Sequence, residues 1–218
     1  MMNPISAESP SAIYVVDDDE SMRRAVSMLL RSVGYEVDTF SSASEFMAVP
    51  KKDVPSCLIL DVRLKGQSGL AVQEQFAARK MAVPIIFITA HGDVAMSVRA
   101  MKAGALDFLV KPFRDQDMLD AVESALKYDA ARREVDRSET SLRHRYDELT
   151  PREKEVMSFV VRGLLNKQIA SELALSEITV KLHRAQAMRK MDAQSLPDLV
   201  LKAEALGIVD SACTSANA

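Results

Sequence analysis

From Ile13 to Phe113 the chain alternates short apolar runs with amphipathic segments. Ile13–Val16 predicts a strand, followed by a helix over about Ser21–Ser32 and a turn at Gly34. Glu36–Phe40 alternates outward and inward, as an edge strand would, and Ser44–Val49 predicts a short helix. Cys57-Leu58-Ile59-Leu60 then runs straight into Asp61. An unbroken apolar run of this kind is a strand buried on both faces, as in a parallel sheet. Gly69–Arg79 predicts a helix offering Leu70, Val72, Phe76 and Ala77 for packing. Pro84 introduces the strand Ile85–Thr89, and Asp93 can cap a helix whose inner face is Val94, Val98 and Met101. Gly104 ends that helix, Phe108–Val110 is a fifth strand, and Lys111-Pro112 stops it. The pattern is (βα)5, which predicts a parallel sheet with helices on both faces.

After Pro112 the pattern changes. Met118, Leu119, Val122 and Leu126 mark an apolar stripe, but Asp129–Ser141 is almost wholly polar. Acid-first pairs such as Asp129–Arg133 support a continuous helix at only ~0.2–0.5 kcal/mol each. A helical linker and a flexible charged one therefore fit equally. Thr150-Pro151-Arg152-Glu153 opens a second domain with a hydroxyl at N-cap, proline at N1 and glutamate at N3. That helix turns Val156, Phe159 and Val160 inward and ends near Gly163. A second, Asn166–Leu173, presents Ile169, Ala170 and Leu173, and Ser176 caps a third that runs to about Met191. A fourth follows Ser195 and ends near Gly207. Short helices, a tight turn and a longer third helix make a helix-turn-helix module. The expected division is 11–127, a linker over 128–148, a helical domain over 149–208 and a disordered tail over 209–218.

Composition narrows the class. With 218 residues, 48% hydrophobic and 27% charged, the chain suits a globular protein of one large domain or two small ones. A net charge of -3 excludes a chain that is basic throughout but not a basic patch. Cys57 falls in a predicted core strand and Cys213 in the tail, so a disulfide is not expected and a reducing cytoplasm is. The first residues lack a signal-peptide pattern, and no apolar run approaches a membrane span.

The chemistry gathers at strand ends. Asp17-Asp18-Asp19 follows the first strand, Asp61 ends the third, Thr89 the fourth and Lys111 the fifth. In an open parallel sheet these ends share one edge, where ligands bind. Clustered carboxylates there suit Mg2+, which takes carboxylate, water and phosphate oxygens.

VVDDDE, LILDVR, FITAHGD and FLVKPF, in this order and spacing, resemble the receiver domain of two-component response regulators over residues 11–127. The resemblance implies a flavodoxin-like strand order and Asp61 as phosphoacceptor. It implies Mg2+ held by Asp17, Asp18, Asp61 and the Arg63 backbone carbonyl. Thr89 and Lys111 would bind the phosphoryl group, Phe108 would be the switch aromatic, and Lys111-Pro112 a cis peptide. The fourth helix, fifth strand and fifth helix would form the face that dimerises on phosphorylation. One departure is Lys65, followed by Gly66, where the family often carries proline. It predicts a more mobile, more positive loop. Arg63 and His91 lie two residues past Asp61 and Thr89, where side chains could screen the phosphoryl group from water, although a lone His91 reads first as a surface residue rather than a catalytic one.

TPREKEV, NKQIA and TVKLHR resemble the DNA-binding domain of the NarL/FixJ (LuxR-type) regulators, and the whole-chain order is similar to the FixJ branch. Within the third helix Lys181, Arg184, Arg189 and Lys190 occur with no acid between them. Val180, Ala187 and Met191 face inward, so Lys181, Leu182 and Ala185 project outward toward major-groove base edges. Thr179, Lys167 and Asn166 suit phosphate contacts, and Arg184 either packs its stem or reaches a phosphate. His183 reads as a packed residue.

The implied partners are a sensor histidine kinase, promoter DNA, a second copy of the chain and RNA polymerase; no membrane is expected. A phosphatase of the haloacid-dehalogenase kind would need an acid two residues after the nucleophile, where Arg63 stands. A phosphorylation-independent scaffold would have no use for the complete set Asp17, Asp18, Asp61, Thr89 and Lys111.

Overall fold

The computed structural model describes residues 10–79, 81–90 and 94–208, and the chain divides into two compact units between Arg133 and Glu134. In the first, β1 (Ala12–Val16), β2 (Glu36–Phe40) and β3 (Ser56–Asp61) are followed by a small hairpin, β4 (Arg63–Leu64) and β5 (Gln67–Ser68). β6 (Ile85–Thr89) and β7 (Asp107–Val110) complete the main sheet, whose parallel order is β2-β1-β3-β6-β7. The helices are α1 (Glu20–Ser32), α2 (Ala43–Ala48), α3 (Gly69–Ala78), α4 (Val94–Lys102) and the first part of α5 (Asp115–Asp147).

Side chains alternate across the sheet, so each strand feeds two cores. Tyr14, Leu58, Leu60 and Phe87 pack with Phe46, Val72 and Phe76 on one face. Ile13, Val15, Ile59, Ile86 and Ile88 pack with Val26, Leu30, Met118 and Val122 on the other. Strand β3 is buried along its whole length, which is why its sequence reads as an unbroken apolar run.

Two expected helix faces are corrected. In α4, Val94, Val98 and Met101 are exposed by 80, 44 and 46%, and the inward stripe is Met96 with fully buried Ala100. A small residue at the contact lets the helix lie close to the sheet, which leaves the bulkier stripe outside. In α3, Ala77 is exposed and Gln73 is buried, its Nε2 donating to the Ala103 carbonyl at 2.9 Å. The Asp93 cap lies outside the described residues.

Of the two linker forms the helix is present, for α5 is continuous over 33 residues. Asp129 is not on a solvated face. It is fully buried and accepts from the Ser56 amide at 2.9 Å, from Arg132 at 2.6 Å and from Arg133 at 2.7 Å.

The second unit contains α6 (Pro151–Val161), α7 (Asn166–Leu173), α8 (Glu177–Lys190) and α9 (Leu196–Ala205). The expected capping box is present: the Glu153 amide donates to Thr150 Oγ1 at 3.3 Å and the Thr150 amide to Glu153 Oε2 at 2.8 Å. Between α7 and α8, Ala174 takes a left-handed conformation (φ 51°), and Ser176 Oγ accepts from the Thr179 amide at 3.1 Å to start α8. Val156, Val160, Ile169, Val180, Ala187 and Met191 form the core, with Phe159 and Leu173 half-buried at its margin. The expected disordered tail, with Cys213, lies outside the described residues.

Candidate metal centre and nucleic-acid interface

The parallel register brings the reactive groups to one sheet edge. Val16 pairs with Leu60, so the residues that follow, Asp17 and Asp61, emerge side by side. Asp61 pairs with Ile88, and Thr89 with Val110, which sets Thr89 and Lys111 next to them. Carboxylate oxygens of Asp17, Asp18 and Asp61 lie within 4.8 Å of one another. The Lys111 ammonium bridges two of these acids, donating to Asp17 Oδ2 at 2.8 Å and to Asp61 Oδ2 at 2.7 Å. The other oxygens are also held: Asp61 Oδ1 accepts from the Arg63 amide at 2.7 Å and Asp17 Oδ1 from the Asp19 amide at 2.8 Å. Asp19 itself caps α1 by accepting from the Ser21 amide, so one acid of the triplet serves the helix.

The site carries more negative than positive charge. Burial pushes the Asp17 carboxyl above its ordinary value, and its bonds to Lys111 and the Asp19 amide offset this only in part. Burial alone would lower the Lys111 ammonium, but the bonds to Asp17 and Asp61 outweigh it and hold the ammonium above the usual lysine range. Lys65 reaches Asp18 Oδ2 at 3.4 Å from a side chain that is 85% exposed, a contact worth ~0–1 kcal/mol. Oxygen-only donors with one excess charge to absorb fit a hard divalent cation.

The loop expected to be mobile beside Lys65 is a tight antiparallel hairpin, Arg63 pairing with Ser68 across a turn in which Gly66 has φ 80°. Thr89 is fully buried, and its carbonyl accepts from the Lys111 amide at 2.8 Å. Phe108 is half-buried against the Phe87 side of the core, and Lys111-Pro112 is cis. His91 lies outside the described residues.

In the second unit, α8 exposes Lys181, Leu182, Ala185 and Arg189 and half-buries Thr179, His183, Arg184 and Lys190. The Arg184 guanidinium donates to Asn166 Oδ1 at 3.2 Å, which ties α8 to the start of α7, where Asn166 is half-buried and Lys167 exposed. Arg189 donates to Gln186 Oε1 at 2.6 Å. Lys190 is spoken for inside the unit: its ammonium donates to Glu153 Oε2 at 2.6 Å and to the Glu148 carbonyl at 3.2 Å. Like Arg184 and Arg189, Lys190 thus has a partner within the unit, and it alone of the three pairs with a carboxylate.

Residues 13–123 match the response regulator receiver domain, and residues 147–203 match the luxR family of bacterial regulatory proteins. This chain is a response regulator of the NarL/FixJ type. The response regulator is 53% identical over 202 residues to nodulation protein W of Bradyrhizobium diazoefficiens, a match covering 93% of this chain and 89% of that protein. It is 41% identical over 196 residues to the transcriptional regulatory protein FixJ of Rhizobium meliloti, covering 89% and 96% of the two chains. Among solved structures it is similar to the response regulator StyR, with a TM-score of 0.82 and 47% identity over 90% of this chain and 99% of that one. The family regulates transcription and is not a conventional enzyme. No helix among the described residues is long and apolar enough to cross a membrane.

Two features of this response regulator escaped sequence reasoning. A Cβ on Gly69 would lie 2.5 Å from the Asp61 carbonyl oxygen and 2.9 Å from Val62 Cα, so only glycine lets α3 start against the end of β3. Its amide donates to the Val62 carbonyl at 2.8 Å. The Glu153–Lys190 pair joins the capping box of α6 to the end of α8, and a glutamate already explained as a cap gave no signal of a second partner.

Proposed function

We propose that phosphoryl transfer to Asp61 from a sensor histidine kinase converts the chain from monomer to dimer and so licenses promoter binding by α8. The observation that carries this reading is the Lys111 ammonium bridging Asp61 and Asp17 at the same sheet edge as Asp18 and Thr89. The receiver comprises residues 11–127, the linker 128–148 and the DNA-binding domain 149–208.

Asp17, Asp18, Asp61 and the Arg63 carbonyl are the groups that would hold Mg2+. When bound, the ion supplies positive charge for the equatorial oxygens of the transferring group. An Asp61 carboxylate oxygen attacks phosphorus in line; the new P–O bond forms as the P–N bond to the kinase histidine breaks, and the departing nitrogen takes a proton. Lys111, already at Asp61, pairs with the phosphoryl oxygens. The acyl phosphate carries about two negative charges. Thr89 donates its hydroxyl to one oxygen, and Phe108 turns into the space this leaves, a two-state rearrangement biased by local charge. Hydrolysis in the same site, screened by Arg63, ends the signal.

The dimer face is supported by Val94, Val98 and Met101 of α4 and Val110 of β7, all at least 44% exposed. On DNA, Lys181, Leu182 and Ala185 meet base edges, while Thr179, Asn166, Lys167, Arg184 and Arg189 serve the backbone. Two recognition helices address half-sites about one helical turn apart, and RNA polymerase is the further partner of the bound dimer.

The test is size exclusion and gel retardation of duplexes selected from a random library, with wild type and Asp61→Asn, each given a small phosphodonor and Mg2+. Wild type is expected to dimerise and retard DNA, and Asp61→Asn to do neither. If Asp61→Asn responds as wild type does, the reading is wrong.

A further inference from the structure

The outward face of α8 is unusual in what it lacks. Ile178, in the first turn, is 79% exposed, and Leu182, one turn on, is 57% exposed. Ala185 continues the same stripe, and Lys181 stands beside it, both exposed. Residues at i, i+4 and i+7 share a helix face, so Ile178, Leu182 and Ala185 form one apolar strip with a single cation along it. Isolated exposed aliphatics need no explanation. A β-branched residue in the first turn of an exposed helix, aligned with a second large aliphatic, does.

Four of the α8 side chains that could read bases by hydrogen bonding have partners within the unit. Arg184 donates to Asn166, Arg189 to Gln186, and Lys190 to Glu153. The Thr179 hydroxyl lies 2.8 Å from that of Ser176. The one acid of α8, Glu177, belongs to the first turn, where it offsets the helix dipole. What the exposed strip offers the groove is one ammonium and three apolar side chains. The basic setting on α8 and at Lys167 favours a polyanion as the occupant of this face. The only apolar group a base pair offers in the major groove is the thymine methyl.

We infer that Ile178, acting with Leu182, is a specificity-determining residue that reads thymine methyl groups, leaving Lys181 as the sole hydrogen-bonding base reader on this strip. The inference rests on α8 being the DNA-reading helix. N-terminal residues of a recognition helix are those nearest the base edges, which places Ile178 ahead of Leu182 along the groove. The resulting code is thymine-rich, with guanine called for only where Lys181 reaches.

The full chain, treated with phosphodonor and Mg2+, is used to select duplexes from a random library. In the selected site each thymine is then replaced in turn by deoxyuridine, which removes the methyl and nothing else. Wild type is expected to lose about fourfold in affinity at a thymine in each half-site, the worth of one buried methyl. Ile178→Ala should abolish the penalty at one such position and keep it at the one read by Leu182, while Ile178→Val retains it. Circular dichroism confirms folding of each variant. Equal penalty profiles for wild type and Ile178→Ala, or no penalty anywhere in wild type, overturn the proposal while leaving DNA binding standing. A chain that selects no duplex at all overturns the DNA reading with it.

Discussion

Asp17 shows how a buried carboxylate of the acidic cluster is held at a cost to folding. It is fully buried with one cation, Lys111, shared with Asp61, so two carboxylates compete for one ammonium. Its pKa stands above the ordinary 3.8, chiefly through burial. A group raised in the folded state contributes stability that is complete below the unfolded value and lost as pH rises through the folded one. Without metal the receiver is therefore expected to lose stability as pH climbs past 3.8 through the raised value of Asp17. Asp17→Asn should remove that slope and raise metal-free stability at pH 7 by about 1 kcal/mol or more, since it leaves one carboxylate per ammonium. Urea denaturation with and without Mg2+ checks this: Mg2+ should stabilise wild type more than the variant. Most of this site was legible at the level of residues, because four strands ended in groups that only a shared edge explains. Gly69 was not legible. Its need for a bare Cα arises from the nearness of Asp61 and Val62, which the register alone creates.

At the scale of elements, periodicity located the helices but misjudged the buried face of α4. Val94, Val98 and Met101 have the spacing of a core stripe, and nothing in their spacing says which of two apolar faces meets the sheet. The error is informative, since the exposed stripe needs a cover. Val98→Asp is expected to leave Asp61 phosphorylation intact, read on phosphate-affinity gels, and to keep the treated chain monomeric in analytical ultracentrifugation; a dimer would remove the face from the switch. In the second unit, Lys190 links α8 to α6 through Glu153, both side chains largely buried. Burial opposes the Glu153 charge, but its bonds to Lys190 and to Thr150 outweigh this and lower its pKa. Such a group contributes stability that is present above the ordinary 4.5 and lost as pH falls through the lowered value. Lys190→Met should destabilise this unit by about 1.5–3 kcal/mol at neutral pH. In thermal melts the gap between wild type and Lys190→Met should close as pH falls below 4.5. A base-reading role would instead alter sequence preference with no change in melting.

At the scale of the whole molecule, two folding units with different physics share one uninterrupted helix. The (βα)5 alternation and the capping box announced both units, because each follows from local pattern. The state of the linker was not announced: a polar stretch is silent about whether a distant backbone will tie it down. The tie is Asp129, whose carboxylate takes the amide of Ser56, the first residue of the strand that ends in Asp61. Arg133 adds a bond to Asp53 at 2.7 Å.

That tie decides where the receiver can be cut. A fragment ending at Lys127 follows the boundary that sequence pattern suggests, yet it leaves the Ser56 amide without its acceptor at the root of β3. A fragment ending at Arg133 keeps the carboxylate and both guanidinium groups that neutralise it. Residues 1–127 are expected to melt several degrees below residues 1–133, as losing about 1–3 kcal/mol from a small domain implies. Calorimetry of the two fragments measures the difference, and equal melting temperatures would strip Asp129 of this role. Anyone exchanging output domains between such regulators would then join the chains after Arg133.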